Sequence, residues 1–169
     1  PWDMDYDPIG DRLFVALTNG KVAVFDSYSR NYGSAGPSRT FTPRRSDAVL
    51  ATNLHGIVYV ADGDLLILSD VGLAASATDG RLYLVEGASF ASGTVDVRID
   101  IAGAASKLGN PVDIAFDGAH LFVAEKSNGA ILRWDFFADL ASGDLAPDRQ
   151  FAVGAPESVA LVPTWVGAR

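Results

Sequence analysis

Apolar and polar residues alternate in short runs along the chain, and the pattern is most regular over residues 111–135. Two turn pairs, Asp117-Gly118 and Asn128-Gly129, divide this region into three runs. Such pairs between apolar runs favour tight hairpin turns, because both central residues of a type I′ turn need a positive φ. The pattern predicts three short antiparallel strands, over residues 112–116, 121–124 and 130–134.

The same order of strands and turns occurs twice more in the chain. In each unit an aromatic residue holds the same place in the first strand, and an Asn-Gly or Asp-Gly pair marks the second turn. Agreement at several matched positions indicates an internal repeat. The matched residues are Tyr6, Tyr59 and Phe116 in the strand, and Asn19-Gly20, Asp79-Gly80 and Asn128-Gly129 at the turn.

Each unit ends in a candidate fourth strand. Residues 38–42 supply it in the first unit, where we expect Pro43 to end the strand, and residues 149–153 supply it in the third. Residues 95–101 alternate between apolar and charged side chains, which predicts an outer strand with one solvated face. A short helical turn is expected within residues 136–140.

The units start at Pro1, Leu54, Pro111 and Pro156, at intervals of 45 to 57 residues. Four short antiparallel strands at this spacing are typical of a propeller blade. We therefore predict an all-β, β-propeller-like fold of about three four-stranded antiparallel blades plus one orphan strand, which is a half-propeller or a fragment. The single domain spans residues 1–169, with blades at about 1–45, 46–103 and 110–154, and a further blade or closing strand starts at 156–166.

Three blades do not close a ring, because the typical four to eight blades of a propeller cover each other's faces. Two apolar faces are expected to remain open. The partner that covers them is a second copy of the chain or a missing propeller segment. We expect a homo-oligomer and favour a dimer, in which two copies complete a six-bladed ring.

The composition excludes several kinds of partner and chemistry. The formal net charge is −8, which disfavours nucleic acid and anionic membrane surfaces. No apolar run approaches the roughly 18 residues that a membrane span needs. The chain has no cysteine, so disulfides and thiolate chemistry are excluded, and we expect a secreted or periplasmic location.

Residues 111–118 read Pro-Val-Asp-Ile-Ala-Phe-Asp-Gly, and Leu-Phe-Val-Ala-Glu follows at 121–125. With Asn-Gly-Ala-Ile at 128–131, this order resembles the units of NHL-repeat and six-bladed, lactonase-like propellers. The other two units match less closely: Leu17 stands where the pattern has an acid, and His55 lies in a start that lacks the leading proline. The resemblance implies a propeller whose channel mouth carries function, and it fixes no single activity.

Asp3 and Asp113 occupy one matched position in the first strand, which lines the central channel of a propeller. Carboxylates at a channel mouth could hold a hard cation such as Ca²⁺. Alternatively, each carboxylate accepts hydrogen bonds from backbone N–H groups near the strand start. The lactonase-like resemblance implies a divalent ion held by residues of different blades, for which Asp3, Asp113 and Glu125 are the candidate metal ligands and Asn53 and Asn110 further sources.

Asp70 and Glu125 match at the end of the second strand. They are candidate ligand-binding residues, or they hydrogen-bond to a neighbouring blade. His55 starts the first strand of the second unit near the same mouth, and is a candidate base or ligand. Aromatic residues at strand-period positions favour packing between blades over carbohydrate stacking; they are Trp2, Tyr6, Tyr59, Phe116, Trp134 and Trp165.

No motif for catalysis is visible, since the chain lacks a Gly-x-Ser-x-Gly elbow, a phosphate loop and a His-x-x-x-His pair. We therefore favour a non-enzymatic propeller module that binds a protein or a small ligand over its channel face. The alternative is a metal-dependent, lactonase-like hydrolase with a cation at the channel mouth. Several carboxylate or amide oxygens that converge at metal-ligand distance would favour the alternative.

Overall fold

The computed structural model describes residues 1–31, 33–46 and 48–162. The chain forms three sheets that follow one another along the sequence. In the first sheet the strands run antiparallel in chain order, except that β9 joins its fourth strand in parallel. Its members are β1 (Asp3–Asp7), β2 (Arg12–Ala16), β3 (Val22–Asp26), β4 (Arg39–Arg45), β5 (Ala48–Val49) and β9 (Gly93–Asp96).

The second and third sheets have four antiparallel strands each. The second contains β6 (Leu54–Val60), β7 (Leu65–Asp70), β8 (Arg81–Glu86) and β10 (Ile99–Ala102). The third contains β11 (Pro111–Phe116), β12 (Leu121–Glu125), β13 (Ala130–Trp134) and β14 (Arg149–Ala152). This architecture confirms the predicted all-β, propeller-like partial fold. Among the described residues no helix is long and apolar enough to cross a membrane.

Two apolar cores hold the sheets face to face. Phe14 and Phe41 of the first sheet meet Leu68 and Tyr83 of the second, and all four side chains are fully buried. The opposite face of the second sheet packs against the third, where Trp134 belongs to the core. The second sheet is therefore covered on both faces, as a blade inside a propeller is.

The prediction of one strand over residues 95–101 is wrong, because the segment divides between two sheets. Its first part belongs to β9 on the first sheet, and its second part is β10 on the second. Val95 and Val97 pack on the core between the first two sheets, whereas Ile99 and Ile101 enter the next core. The regular alternation concealed this change of sheet.

Two local predictions also need correction. Pro43 does not end its strand, since β4 continues to Arg45 and the Pro43 carbonyl accepts a hydrogen bond from Leu50 N–H. The Asn-Gly turns are not of type I′, because Gly20 and Gly129 have positive φ of 77° and 65° while neither asparagine does. The helical turn expected within residues 136–140 is present as a 3-10 turn over Phe137–Asp139.

The structure reveals a repeated contact that the sequence comparison did not identify. The Tyr6 and Tyr59 hydroxyls donate to the carboxylates of Asp11 and Asp64 at 2.9 and 3.0 Å. The Asp64 carboxylate also accepts two hydrogen bonds from Ser89, and the Asp11 carboxylate accepts two from Ser29. Burial, with help from this hydrogen bond, raises the pKa of Tyr59 to about 12. The contact fixes the turn after the first strand in the first two blades, whereas the third blade has Phe116 at the matched position.

Residues 156–162 contain no strand, so the predicted orphan strand is not formed in the described part of the chain. The segment nevertheless lies on the third sheet, where Val159 packs against Val112 and Ala124. Val159 N–H donates to Asp113 Oδ2 at 2.8 Å. The rest of the segment predicted at 156–166, and Trp165, lie outside the described residues.

Candidate site at the channel mouth

The first strands of the three sheets lie side by side, with β6 in the middle. Trp2 precedes β1, His55 is the second residue of β6, and Val112 is the second residue of β11. The starts of these strands therefore meet at one end of the molecule, which corresponds to the mouth of a propeller channel. We call the space between them the channel-mouth cavity.

The channel-mouth cavity has a volume of about 350 Å³. A smaller cavity of about 110 Å³, lined by Asp3 and Asp113, adjoins it and shares Trp2, Val112 and Glu157 with it. Residues of all three sheets and of the last described segment contribute to the larger wall. They are Trp2, Thr18, Asn53, His55, Ala74, Asn110, Val112, Lys126 and Glu157.

His55 is buried in the wall of the cavity, with 6% of its surface exposed. Its ring stacks on the Trp2 indole, with 3.8 Å between the ring centroids. Nδ1 of His55 is buried and has no hydrogen-bond partner in the described protein. Burial lowers the pKa of His55, partly opposed by the charge of Asp70, so the imidazole is neutral near pH 7 and can accept a hydrogen bond.

Asn110 provides a second polar atom without a partner. Its Oδ1 is buried and accepts no hydrogen bond within the described residues. The Asn53 side chain, by contrast, donates to the Gly72 carbonyl at 3.3 Å. Lys126 Nζ and Glu157 Oε1 form an exposed ion pair at 2.6 Å at the edge of the cavity. The wall thus combines satisfied groups with two unsatisfied ones.

Asp3 and Asp113 accept hydrogen bonds in the same pattern, Asp3 across the junction of the first two sheets and Asp113 from the segment that follows the third sheet. Asp3 Oδ2 accepts a hydrogen bond from Ile57 N–H of the second sheet, as Asp113 Oδ2 does from Val159 N–H. The other oxygen of each accepts from the next residue of its own strand. Burial raises the pKa of Asp3; these backbone hydrogen bonds oppose the rise and the neighbouring Asp113 charge adds to it.

Asp70 and Glu125 lie away from this wall and organise backbone. Glu125 is fully buried, and its carboxylate accepts from the N–H groups of Gly109, Asn110 and Asn128. Asp70 holds the equivalent loop of the second sheet through the N–H groups of Thr52 and Asn53. Both acids tie the loop before a first strand to the end of the second strand, within one sheet.

The carboxylates proposed as metal ligands do not form one group. Asp3 and Asp113 line the smaller cavity together, but Glu125 is directed to the loop N–H groups. Within the described residues no three His, Asp or Glu side chains are placed to hold a metal ion. Asp3 and Asp113 together offer four carboxylate oxygens, each of which accepts one backbone hydrogen bond, so the donor set falls short of the six to eight oxygen ligands of a hard cation such as Ca²⁺.

Sequence reasoning missed part of the site. Thr18, Ala74, Lys126 and Glu157 line the cavity but belong to turns and loops outside the matched strand positions. The pattern predicts a packing role for Trp2, and its indole stacks on His55 while 55% of its surface stays exposed at the cavity. The only available signal was that Lys126 directly follows the matched acid at the end of β12.

No protein-family model matches the chain, and a search of curated proteins finds no match. Among solved structures, the chain is similar to a provisionally named 6-phosphogluconolactonase from Bacteroides fragilis, at 17% identity and a TM-score of 0.65, over 95% of this chain and 41% of that one. A second such protein, from Bacteroides uniformis, is 18% identical with a TM-score of 0.61, over 91% of this chain and 41% of that one. Hydrazine synthase from Kuenenia stuttgartiensis is 15% identical with a TM-score of 0.59, over 92% of this chain and 51% of that one.

These neighbours define the fold class as propeller-like, of the kind that the two lactonase-named proteins adopt. The chain spans 41% to 51% of their length. At such low identity the similarity shows the fold alone. The finer resemblance to NHL repeats has no matching family model.

Proposed function

We propose that the chain is a non-enzymatic propeller module that binds a small polar ligand in the channel-mouth cavity. The observation that supports this most strongly is that His55 Nδ1 and Asn110 Oδ1 lie buried and unpartnered on the wall of one cavity. An unsatisfied buried polar atom costs about 1 to 3 kcal/mol, and folded proteins rarely leave one. The volume of about 350 Å³ suits a small molecule.

The same site gives little support to hydrolysis. His55 has no acid or hydroxyl that orients its ring, and no nucleophile contacts it in the described residues. A general base normally needs such a partner to set its tautomer and position. The metal-dependent, lactonase-like hydrolase remains the alternative because two structural neighbours carry lactonase names.

The binding proposal is tested by recording NMR spectra of the Trp2 indole, the Asn110 side-chain amide and the His55 ring. The probes are glycerol, acetamide, n-propylammonium, propionate and CaCl₂, each up to about 50 mM. We expect at least one organic probe to shift all three groups, while the Trp134 indole, buried in the core, stays unchanged. In Asn110→Ala, which removes no protein hydrogen bond to Oδ1, the shifts of Trp2 and His55 should vanish without loss of stability.

If none of the organic probes shifts these groups, the binding proposal is wrong. Ca²⁺ separates the two candidate functions. Shifts at Asp3 and Asp113 with Ca²⁺ alone, with the shift at Asp3 lost in Asp113→Asn, would favour the metal-dependent alternative.

We also propose that another copy of the chain, or another propeller segment, continues the ring beyond the third sheet. Contacts between sheets support this. Arg39, which begins β4, donates to the Ser89 and Ala91 carbonyls in the 3-10 turn region of the second sheet. Arg98, directly before β10, donates to the Ala138 carbonyl in the matching turn of the third. Arg149 begins β14 and is exposed, so it is placed to make the same contact with a next blade.

The open sheet faces are apolar, which supports a second copy as the partner. On the first sheet, Met4 and Tyr6 stand exposed beside the cluster of Leu13, Val15 and Ala23. On the third sheet, Phe151 is half-exposed on the outer face. Residues 156–162 already cover part of this face through Val159, so a docking copy would pack against them as well as against Phe151.

A further inference from the structure

The charge around the channel-mouth cavity is negative. In the part of the chain that the structure describes, three carboxylates line it and the cavity that adjoins it, those of Asp3, Asp113 and Glu157, against the single cation of Lys126. Lys126 is already paired with Glu157 at 2.6 Å. Among the described residues, no arginine lines either cavity. A phosphorylated or carboxylated ligand would meet repulsion here without a free cation to bind it.

Most of the polar atoms that line the two cavities and can still form hydrogen bonds are acceptors. The neutral His55 ring offers Nδ1, and the Asn110 amide offers Oδ1. Each oxygen of Asp3 and Asp113 accepts one backbone hydrogen bond and retains a second lone pair. Such a wall selects a ligand that donates hydrogen bonds.

Trp2 adds a surface for a cation. One face of its indole covers His55, and the residue remains 55% exposed at the opening shared by both cavities. Indole faces attract ammonium groups through the ring quadrupole, by about 0.5 to 2 kcal/mol. The carboxylates and the aromatic face at this opening therefore both attract a cation.

We propose that the channel-mouth cavity binds a small organic ammonium ion, whose N–H groups donate to His55 Nδ1 and Asn110 Oδ1 and whose charge is balanced by Asp3 and Asp113. This inference rests on the proposed binding function and names its ligand class. The carboxylates alone would not identify a site; the buried, unpartnered His55 in the wall of the cavity that adjoins them is the independent observation.

The test compares three probes of nearly equal size at pH 7: n-propylammonium, 1-propanol and propionate. Their affinities are measured from NMR shifts of the Trp2 indole and the Asn110 amide. With only four heavy atoms a probe binds weakly, so a dissociation constant in the millimolar range is expected for the ammonium ion, about tenfold below that of 1-propanol. Propionate should cause no shift.

Two variants separate a specific site from general attraction to an acidic protein. Asp3→Asn removes one carboxylate from the smaller, adjoining cavity and should weaken n-propylammonium binding about fivefold, with little change for 1-propanol. Asp5→Asn is the matched control, because Asp5 also accepts a backbone N–H of the second sheet, from Tyr59, but lines neither cavity. It should leave the affinity unchanged.

The possible results differ for the two proposals. If 1-propanol binds at least as tightly as n-propylammonium, or Asp5→Asn weakens binding as much as Asp3→Asn, the ammonium inference is overturned while the binding function stands. If none of the three probes shifts the signals of Trp2 and Asn110, the ammonium inference is wrong. If glycerol and acetamide also cause no shift, the proposed binding function is wrong as well.

Discussion

The Glu125→Ala variant is expected to lose about 3 to 5 kcal/mol of unfolding free energy. The Glu125 carboxylate is fully buried and accepts from three backbone N–H groups, of Gly109, Asn110 and Asn128. Alanine would leave all three donors without their acceptor in a site that water does not reach. Because domains are typically stable by about 5 to 15 kcal/mol, this loss approaches global unfolding.

Urea denaturation followed by far-UV circular dichroism measures this effect. Glu86→Ala is the matched control, since Glu86 is an exposed acid at the end of a strand and makes one ion pair, with Arg98. Its removal should change stability by less than about 1 kcal/mol. Equal, small effects of both substitutions would show that Glu125 is not the support of the loop before β11, and would return it to the list of functional candidates.

Gly56→Ala is expected to cost about 2 kcal/mol, the usual range for forcing a methyl group into a packed contact. Gly56 holds the position that Asp3 and Asp113 hold in the other units. A Cβ atom there would lie 2.9 Å from the backbone nitrogen of Ile114 and 3.0 Å from Ser69 Oγ. The second and third sheets can approach this closely only because residue 56 has no side chain.

Thermal unfolding of Gly56→Ala tests the prediction, with Gly36→Ala as the matched control. A Cβ atom at residue 36 would meet no atom within 4 Å, and the backbone there is not left-handed. The control should keep the melting temperature of the parent. A Gly56→Ala protein as stable as the parent would mean that the junction of β6 and β11 is looser than the structure shows.

The sequence was sufficient to predict the fold class because its signal is local. Period-two alternation and glycine turns recur at matched positions, and each of these features depends on a few neighbouring residues. The segment over residues 95–101 shows the limit. Val97 and Ile99 fit one alternating strand, and only the two separate cores reveal that they belong to different sheets.

The candidate site was predictable only in part. His55, Asp3 and Asp113 do lie at the channel mouth, because matched first-strand positions come together in any propeller. The role of Glu125 was not readable, since a buried acid that accepts loop N–H groups and an acid that binds a metal have the same one-letter pattern. Lys126 and Glu157 come from different units, and their pairing depends on the three-dimensional path of the chain.

In the ring that we propose, the three sheets are consecutive blades and their open faces pack against further blades. Light scattering after size exclusion measures whether a second copy supplies those blades. We expect a mass of twice 17.8 kDa for the chain, and a monomer for Met4→Lys, which places a charge on the open face of the first sheet. Ile9→Lys, at an exposed residue in the turn after β1, should remain a dimer. A parent chain that stays monomeric and soluble at about 100 μM would contradict closure of the ring by a second copy.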